Sequence, residues 1–101
     1  MAGRTPLNHE AVTVAASAIG FDATTATNNG IRPNAALITV ETAEMRFTTD
    51  GTTPTTTVGH LADAGQVIEL SDRTECEQFR AIRTGSTSSE IMVTTFAEWA
   101  F

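Results

Sequence analysis

At 101 residues and a net charge of −6, the chain is sized for one domain with a single compact core. It has no run of about 18 apolar residues, which excludes a membrane-spanning helix, and its six arginines against twelve acidic residues leave no basic footprint for nucleic acid. The lone Cys76 excludes an internal disulfide and a cysteine-rich zinc site.

Threonine, valine and isoleucine supply 31 of the 101 residues, which favours strands because β-branched side chains suit a pleated surface. Residues 1–10 are polar and lack periodicity, so we expect an extended N-terminal arm outside the domain. This segment also lacks the apolar stretch of a signal peptide, and we expect synthesis in a cytosol.

The first strand is predicted over residues 11–19, where apolar and polar side chains alternate. The predicted buried face contains Val12, Val14, Ala16 and Ala18. The next stretch is rich in turn formers, and Asn29-Gly30 predicts a tight turn because both residues tolerate a positive φ.

Residues 36–49 predict a hairpin. Ala36, Ile38 and Val40 share one face of its first strand, and Met45 and Phe47 share one face of its second. The segment 42–44 would form the tight connection between them. Asp50-Gly51 then predicts a turn, and Pro54 places the following threonine-rich segment in a loop or at a sheet edge.

The C-terminal half predicts strands over 66–70, 78–83 and 90–96, with Asp72 as the cap of one helical turn. Six or seven short strands separated by turns predict an all-β fold, a small antiparallel β-sandwich of immunoglobulin-like or jelly-roll-like type. The predicted domain covers residues 11–96, between an arm at 1–10 and a tail at 97–101.

No pattern of residues predicts catalysis, a cofactor or a metal. The chain lacks a nucleophile elbow, and no second histidine, cysteine or carboxylate stands at ligand spacing from His60. We interpret His60 as a structural residue that fixes a loop through a hydrogen bond, and Asp50 and Gly51 as turn residues. Acidic neighbours would suppress the thiolate of Cys76, so a plain buried cysteine is expected and the chain is predicted not to be an enzyme.

The two ends of the chain predict an interface. The N-terminal arm has little apolar content, and we expect it to be ordered by contact with another chain through Pro6 and Leu7. Trp99 and Phe101 share one face of an extended C-terminus, and large exposed rings commonly anchor interfaces. The alternative is that both aromatic side chains fold back and cap the core.

The segment 45–55, Met-Arg-Phe-Thr-Thr-Asp-Gly-Thr-Thr-Pro-Thr, followed by Phe-Arg-Ala-Ile-Arg at 79–83, resembles a β-sandwich signature of immunoglobulin-like accessory modules in carbohydrate-active enzymes. The order of segments over about residues 35–96, including Val-Gly-His-Leu at 58–61, also resembles small proteins encoded among the head genes of tailed bacteriophages.

The phage resemblance implies a virion structural protein that decorates or cements the outside of the capsid. Its partners would be the major capsid protein and neighbouring copies of itself, with a trimer as one arrangement, and neither nucleic acid nor membrane would be bound. One alternative is a carbohydrate- or cell-surface-binding module, against which the absence of tyrosine and the single tryptophan weigh. Another is a head–tail connector or tail component.

Overall fold

The structure, a computed structural model, describes residues 2–21 and 33–100, with the side chains of residues 5–21 and 33–97. The elements in this part of the chain are β1 (Ala2–Val14), β2 (Ala35–Val40), β3 (Met45–Thr48), β4 (His60–Ala62), β5 (Val67–Leu70), α1 (Arg73–Gln78), β6 (Arg80–Arg83) and β7 (Ser89–Ala100). The predicted Asn29-Gly30 turn and Phe101 lie outside the described residues.

The strands form two antiparallel sheets. The four-stranded sheet has the order β1-β7-β2-β5, and the three-stranded sheet has the order β4-β3-β6. The predicted small all-β sandwich is confirmed. The β2–β5 and β3–β6 neighbours match the B–E and C–F neighbours of immunoglobulin-like sandwiches, but the last strand joins β1 and β2 rather than β6.

The core lies between the two sheets and is filled by alternate side chains of the strands. Its buried members from the four-stranded sheet are Val12, Val14, Ala36, Ile38, Val40, Ile68, Leu70, Ile91 and Val93. Those from the rest of the chain are Met45, Ala62, Cys76, Phe79 and Ala81. The alternation read from the sequence identified six of these residues, namely Val12, Val14, Ala36, Ile38, Val40 and Met45. The alanines that follow Val14 in the predicted buried face are not in the core, since Ala16 is exposed and Ala18 is half-buried.

The predicted N-terminal arm is extended, but it is paired within a sheet rather than lying outside the domain. Strand β1 begins at Ala2 and pairs with β7 from Ala2–Ala100 to Val14–Ser89. The register shifts once, between Pro6 and Asn8. Backbone pairing does not need apolar side chains, so the polar composition of residues 1–10 did not reveal this strand.

The hairpin predicted over residues 36–49 is not formed, because its two strands belong to different sheets. Strand β2 pairs with β5 and β7, whereas β3 pairs with β4 and β6. The connection crosses the edge of the sandwich and is fixed by β7. Ser89 Oγ donates to the Ala43 carbonyl at 2.7 Å, and the Glu90 amide donates to Thr42 Oγ at 2.9 Å.

A similar crossing ends β1 earlier than predicted. The strand stops at Val14, the Arg83 amide donates to the Ala15 carbonyl at 3.1 Å, and Ile19 forms an isolated bridge with Ala81. The chain therefore passes from the four-stranded to the three-stranded sheet within a segment that alternates without interruption in the sequence.

The single helical turn predicted after Asp72 is confirmed. Asp72 is the N-cap of α1, and its side chain accepts a hydrogen bond from the Thr74 amide at 3.1 Å. Cys76 faces the core from this helix and is only 1% exposed, as expected for a plain buried cysteine. The helix closes one end of the sandwich and leads directly into Phe79.

Candidate functional site

The Asp50-Gly51 turn follows β3 and forms as predicted. Asp50 Oδ1 accepts a hydrogen bond from the Thr52 amide at 3.0 Å, and Gly51 has a φ of 89°, which favours glycine. The hydrogen bonds from Thr52 lower the pKa of the Asp50 carboxyl group below its usual value, with a smaller contribution from the charge of His60. Asp50 therefore presents an exposed, ionised carboxylate.

The threonine-rich loop at 52–59 is held by side chains at its base. Arg46 Nε donates to the Thr56 carbonyl at 3.0 Å, and its Nη1 donates to the Gly59 carbonyl at 2.8 Å. Thr48 Oγ1 donates to the Thr52 carbonyl. Pro54 is buried, so the loop is a packed structure rather than a loose connection.

The tip of the same loop is closed by its own hydrogen bonds. Thr55 Oγ1 accepts from the amides of Thr57 and Val58, at 3.2 and 3.0 Å, while the Thr55 amide donates to the Val58 carbonyl at 3.0 Å. Gly59 has a φ of 126°, and a Cβ there would lie 3.0 Å from the Phe47 carbonyl oxygen. A side chain at this position would therefore be strained, both by the backbone conformation and by the close approach of the loop to β3.

His60 is the first residue of β4 rather than a loop residue. Its ring lies 5.4 Å from that of Phe47, centroid to centroid, and Phe47 in turn stacks on Phe79 at 5.8 Å. Within the described part of the chain the imidazole contacts a ring and makes no hydrogen bond. Its contribution here is packing at the end of an aromatic cluster, not the loop hydrogen bond that the sequence suggested.

Together these segments border an open cleft of about 420 Å³. Its lining residues are Thr48, Thr49, Asp50, Thr52, Val58, Gly59 and His60. The functional groups that line the cleft are one carboxylate, one imidazole and several threonine hydroxyls. The Thr48 hydroxyl already donates a hydrogen bond to a backbone carbonyl group. No group of three or more possible metal-ligating His, Cys, Asp or Glu side chains is found among the described residues.

The predicted interface residues lie along the paired chain ends. Pro6 is exposed, and Leu7 is the half-buried residue at the register shift between β1 and β7. Trp99 lies in β7, where its backbone is paired with that of Gly3. These three positions lie on the ribbon formed by the paired ends of β1 and β7 in the four-stranded sheet, whereas β3 and β4, which border the cleft, belong to the three-stranded sheet.

The sequence interpretation missed Arg46, the residue that organises the loop. The available signal was an arginine placed between two apolar residues of a strand, Met45 and Phe47, shortly before a threonine-rich segment. A charged side chain on the outward face of a short strand can satisfy the backbone carbonyls of such a segment at short range.

No helix in the described part of the chain is long and apolar enough to cross a membrane. Comparisons of this chain with models of protein families, with curated proteins and with solved structures found no match.

Proposed function

We propose that this chain is a non-enzymatic structural protein of a tailed-bacteriophage virion, which binds the outside of the assembled head and bridges capsid subunits. The observation that carries the proposal is the ribbon formed by the two chain ends. The resemblance of the segment order over about residues 35–96 to small phage head proteins, described above, is its second support.

The ribbon extends the sandwich beyond its four-stranded part. Strand β2 pairs with β7 only as far as the Ala35–Phe96 position, so within the described ranges residues 97–100 pair with β1 alone. The molecule measures 43 by 23 by 23 Å along its principal axes. A two-stranded ribbon is marginally stable by itself in water, so a second surface that covers it would stabilise it.

The residues at the ribbon suit such a surface. Trp99 lies on one strand, and a large ring contributes much of the binding energy when an interface buries it. Pro6 and the register shift beside it interrupt the free edge of β1, which protects a strand from indiscriminate edge-to-edge pairing. We infer that docking uses the side chains of the ribbon rather than strand addition along β1.

A small rigid domain can cement a shell through mass action. A protein that binds only the assembled state lowers the free energy of that state, and the effect grows with the number of occupied sites. An acidic exterior protein also avoids competition from packaged DNA, which it repels. The proposed location is therefore the outer surface of the capsid, and no cofactor is required.

The decisive experiment measures binding of the purified protein to heads from a phage that encodes it. Wild-type protein should co-sediment with heads at on the order of hundreds of copies per particle, as expected for a component repeated over the shell. Trp99→Ser should weaken binding at least about tenfold. Leu61→Ser is the matched control, since Leu61 is 47% exposed on the three-stranded sheet, and it should bind like wild type.

Two results would contradict the proposal. Absence of the wild-type protein from both virions and reconstituted heads would remove its basis. Roughly a dozen copies per particle would instead indicate the rotational symmetry of a connector or tail component.

A further inference from the structure

We propose that the outer face of the four-stranded sheet is the surface that meets the shell, and that the shell protein presents there an apolar patch with a basic rim. This inference rests on the proposed function and names the docking face and the chemistry of the partner.

A row of uncharged side chains crosses this face in register. Ala11 pairs with Met92, Met92 with Thr39, and Thr39 with Val67, so one residue from each strand contributes. Directly opposite residues of antiparallel strands share a face. Val67 is 57% exposed, and Ala11 is exposed as well, so the row is open to solvent at both of its ends. Leu37 in the next row extends the apolar area.

Glutamates border this neutral row on both sides. Glu90 and Glu41 lie on one side, where Glu90 pairs with Thr13 and the Glu41 amide donates to the Glu90 carbonyl at 2.8 Å. Glu69 lies on the other side, paired with Leu37. Two of these carboxylates are oriented by neighbours on the same face, since Thr13 Oγ1 donates to Glu90 Oε1 at 2.8 Å and Thr39 Oγ1 donates to Glu41 Oε2 at 2.7 Å.

The described arginine side chains all lie elsewhere, on β3 (Arg46), α1 (Arg73) and β6 (Arg80 and Arg83). Arg46 and Arg80 donate to backbone carbonyls rather than to carboxylates. These arginines therefore do not compensate the negative charge of the outer face. His9 also lies on this face, opposite Thr94, and its Nδ1 is 3.0 Å from Thr94 Oγ1. An interface on this face needs cations from the partner, because unpaired carboxylates are costly to desolvate.

Charge also decides between a second copy and a different protein. The chain carries a net charge of −6 and has no lysine. Two copies that met through this face would bring their glutamates together, and like charges across an interface repel. The occupant is accordingly another protein, with arginines or lysines placed around an apolar centre.

The size of the face sets the strength of the contact. Four strands about 4.8 Å apart and six residues at about 3.3 Å each cover roughly 400 Å². A standard interface buries about 800 Å² per partner, so this face alone supports only weak binding. In β7, Trp99 has the parity of the buried Ile91 and Val93 rather than that of Met92, so the proposed Trp99 contact is separate from this face and would act in addition to it. Weak contacts repeated around a shell are sufficient for a cementing protein.

The test compares two double variants that have the same net charge, of which only one reverses charges on the outer face. The face variant is Glu41→Arg with Glu69→Arg, both exposed positions. The control is Glu44→Arg with Asp63→Arg, which are exposed in the two connections that flank β3 and β4 and carry the same change in charge. Binding to purified heads should fall at least about tenfold for the face variant and less than about twofold for the control. Wild-type binding should also weaken with added salt.

Equal loss in both variants would mean that only net charge matters and would overturn the proposal. So would unchanged binding of the face variant while Trp99→Ser fails to bind, although the proposed function would survive that result. A change in the oligomeric state of the isolated face variant, measured by sedimentation, would assign the face to contacts between copies and overturn the proposal too. If the face variant does not fold, Val67→Asp at the exposed end of the row replaces it, with the same expected loss.

Discussion

Each of the two sheets of this sandwich is stabilised internally in a different way. The four-stranded sheet contains the two longest strands, β1 of 13 residues and β7 of 12, which pair along almost their whole length. The three-stranded sheet has strands of only three or four residues. It compensates with side-chain hydrogen bonds from Arg46 and Thr48, and with the aromatic contacts of Phe47.

This difference indicates where the sequence is free to vary. A long pair of strands tolerates many different side chains on its outer face, because the pairing uses backbone N–H and C=O groups. Every residue except proline has both groups. A sheet of short strands depends on particular residues for its remaining stability. The outer face of the four-stranded sheet should therefore tolerate substitution more readily than the three-stranded sheet and its loop.

The largest expected effect is at Phe79, which is 1% exposed and contacts the rings of Phe21 and Phe47 at 5.4 and 5.8 Å. Phe79→Ala should lower the free energy of unfolding by about 3–5 kcal/mol, because it removes a large buried ring and leaves a cavity. Urea denaturation measures the loss. Hydrogen exchange should accelerate more in β3 and β6 than in β7, and equal acceleration in both sheets would contradict the comparison.

The return of the loop to β3 gives the next effect. Gly59→Ala should cost about 2–3 kcal/mol, because the φ of 126° is unfavourable for alanine and the new Cβ would lie 3.0 Å from the Phe47 carbonyl oxygen. Gly85→Ala is the matched control, since a Cβ there meets nothing within 4 Å, and it should change stability by less than about 0.5 kcal/mol. Similar values for the two variants in thermal unfolding would mean that the loop does not need its close approach.

Arg46 tests the role of side-chain hydrogen bonds in the short-stranded sheet. Arg46→Met keeps most of the side-chain volume but removes the donors to Thr56 and Gly59, and should cost about 1–2 kcal/mol. Exchange of the Thr55 amide, which closes the loop tip on Val58, should become faster. Thr39→Val removes an exposed hydrogen bond on the four-stranded sheet and should cost less than about 0.5 kcal/mol. An equal cost at both sites would break the proposed contrast.

The smallest effect concerns acid stability at the Asp50 turn. Hydrogen bonds from Thr52 lower the pKa of Asp50 in the folded state, so its ionised form stabilises the fold above the unfolded-state pKa. That contribution is lost as the pH falls through the folded-state pKa. Asp50→Asn should therefore differ from wild type in melting temperature near neutral pH and converge with it in acid, below about pH 3.9. A difference that is constant down to the acid limit would show that ionisation plays no part.

The sequence by itself determined the local features of this protein. The alternation of Val12 and Val14, and of Ile38 and Val40, identified buried faces because the side-chain period of a strand is independent of its partner. The Asp72 cap and the Asp50-Gly51 turn were predictable since each closes a hydrogen bond with an amide two residues further on.

Only the tertiary structure decided which strands pair. The segment 42–44 is short enough for a hairpin, yet it carries the chain from one sheet to the other, because β5 and β7 occupy both edges of β2. Residues 2–10 form a strand only because β7 lies beside them, and Arg46 organises a loop that begins six residues later. Strand pairing and loop contacts depend on residues far apart in the chain. Several strands could pair with the same sheet edge, and several donors could bind the same carbonyl group. Local periodicity contains no information on that competition, and so the surface formed by all four strands of the larger sheet could be recognised only once the fold was known.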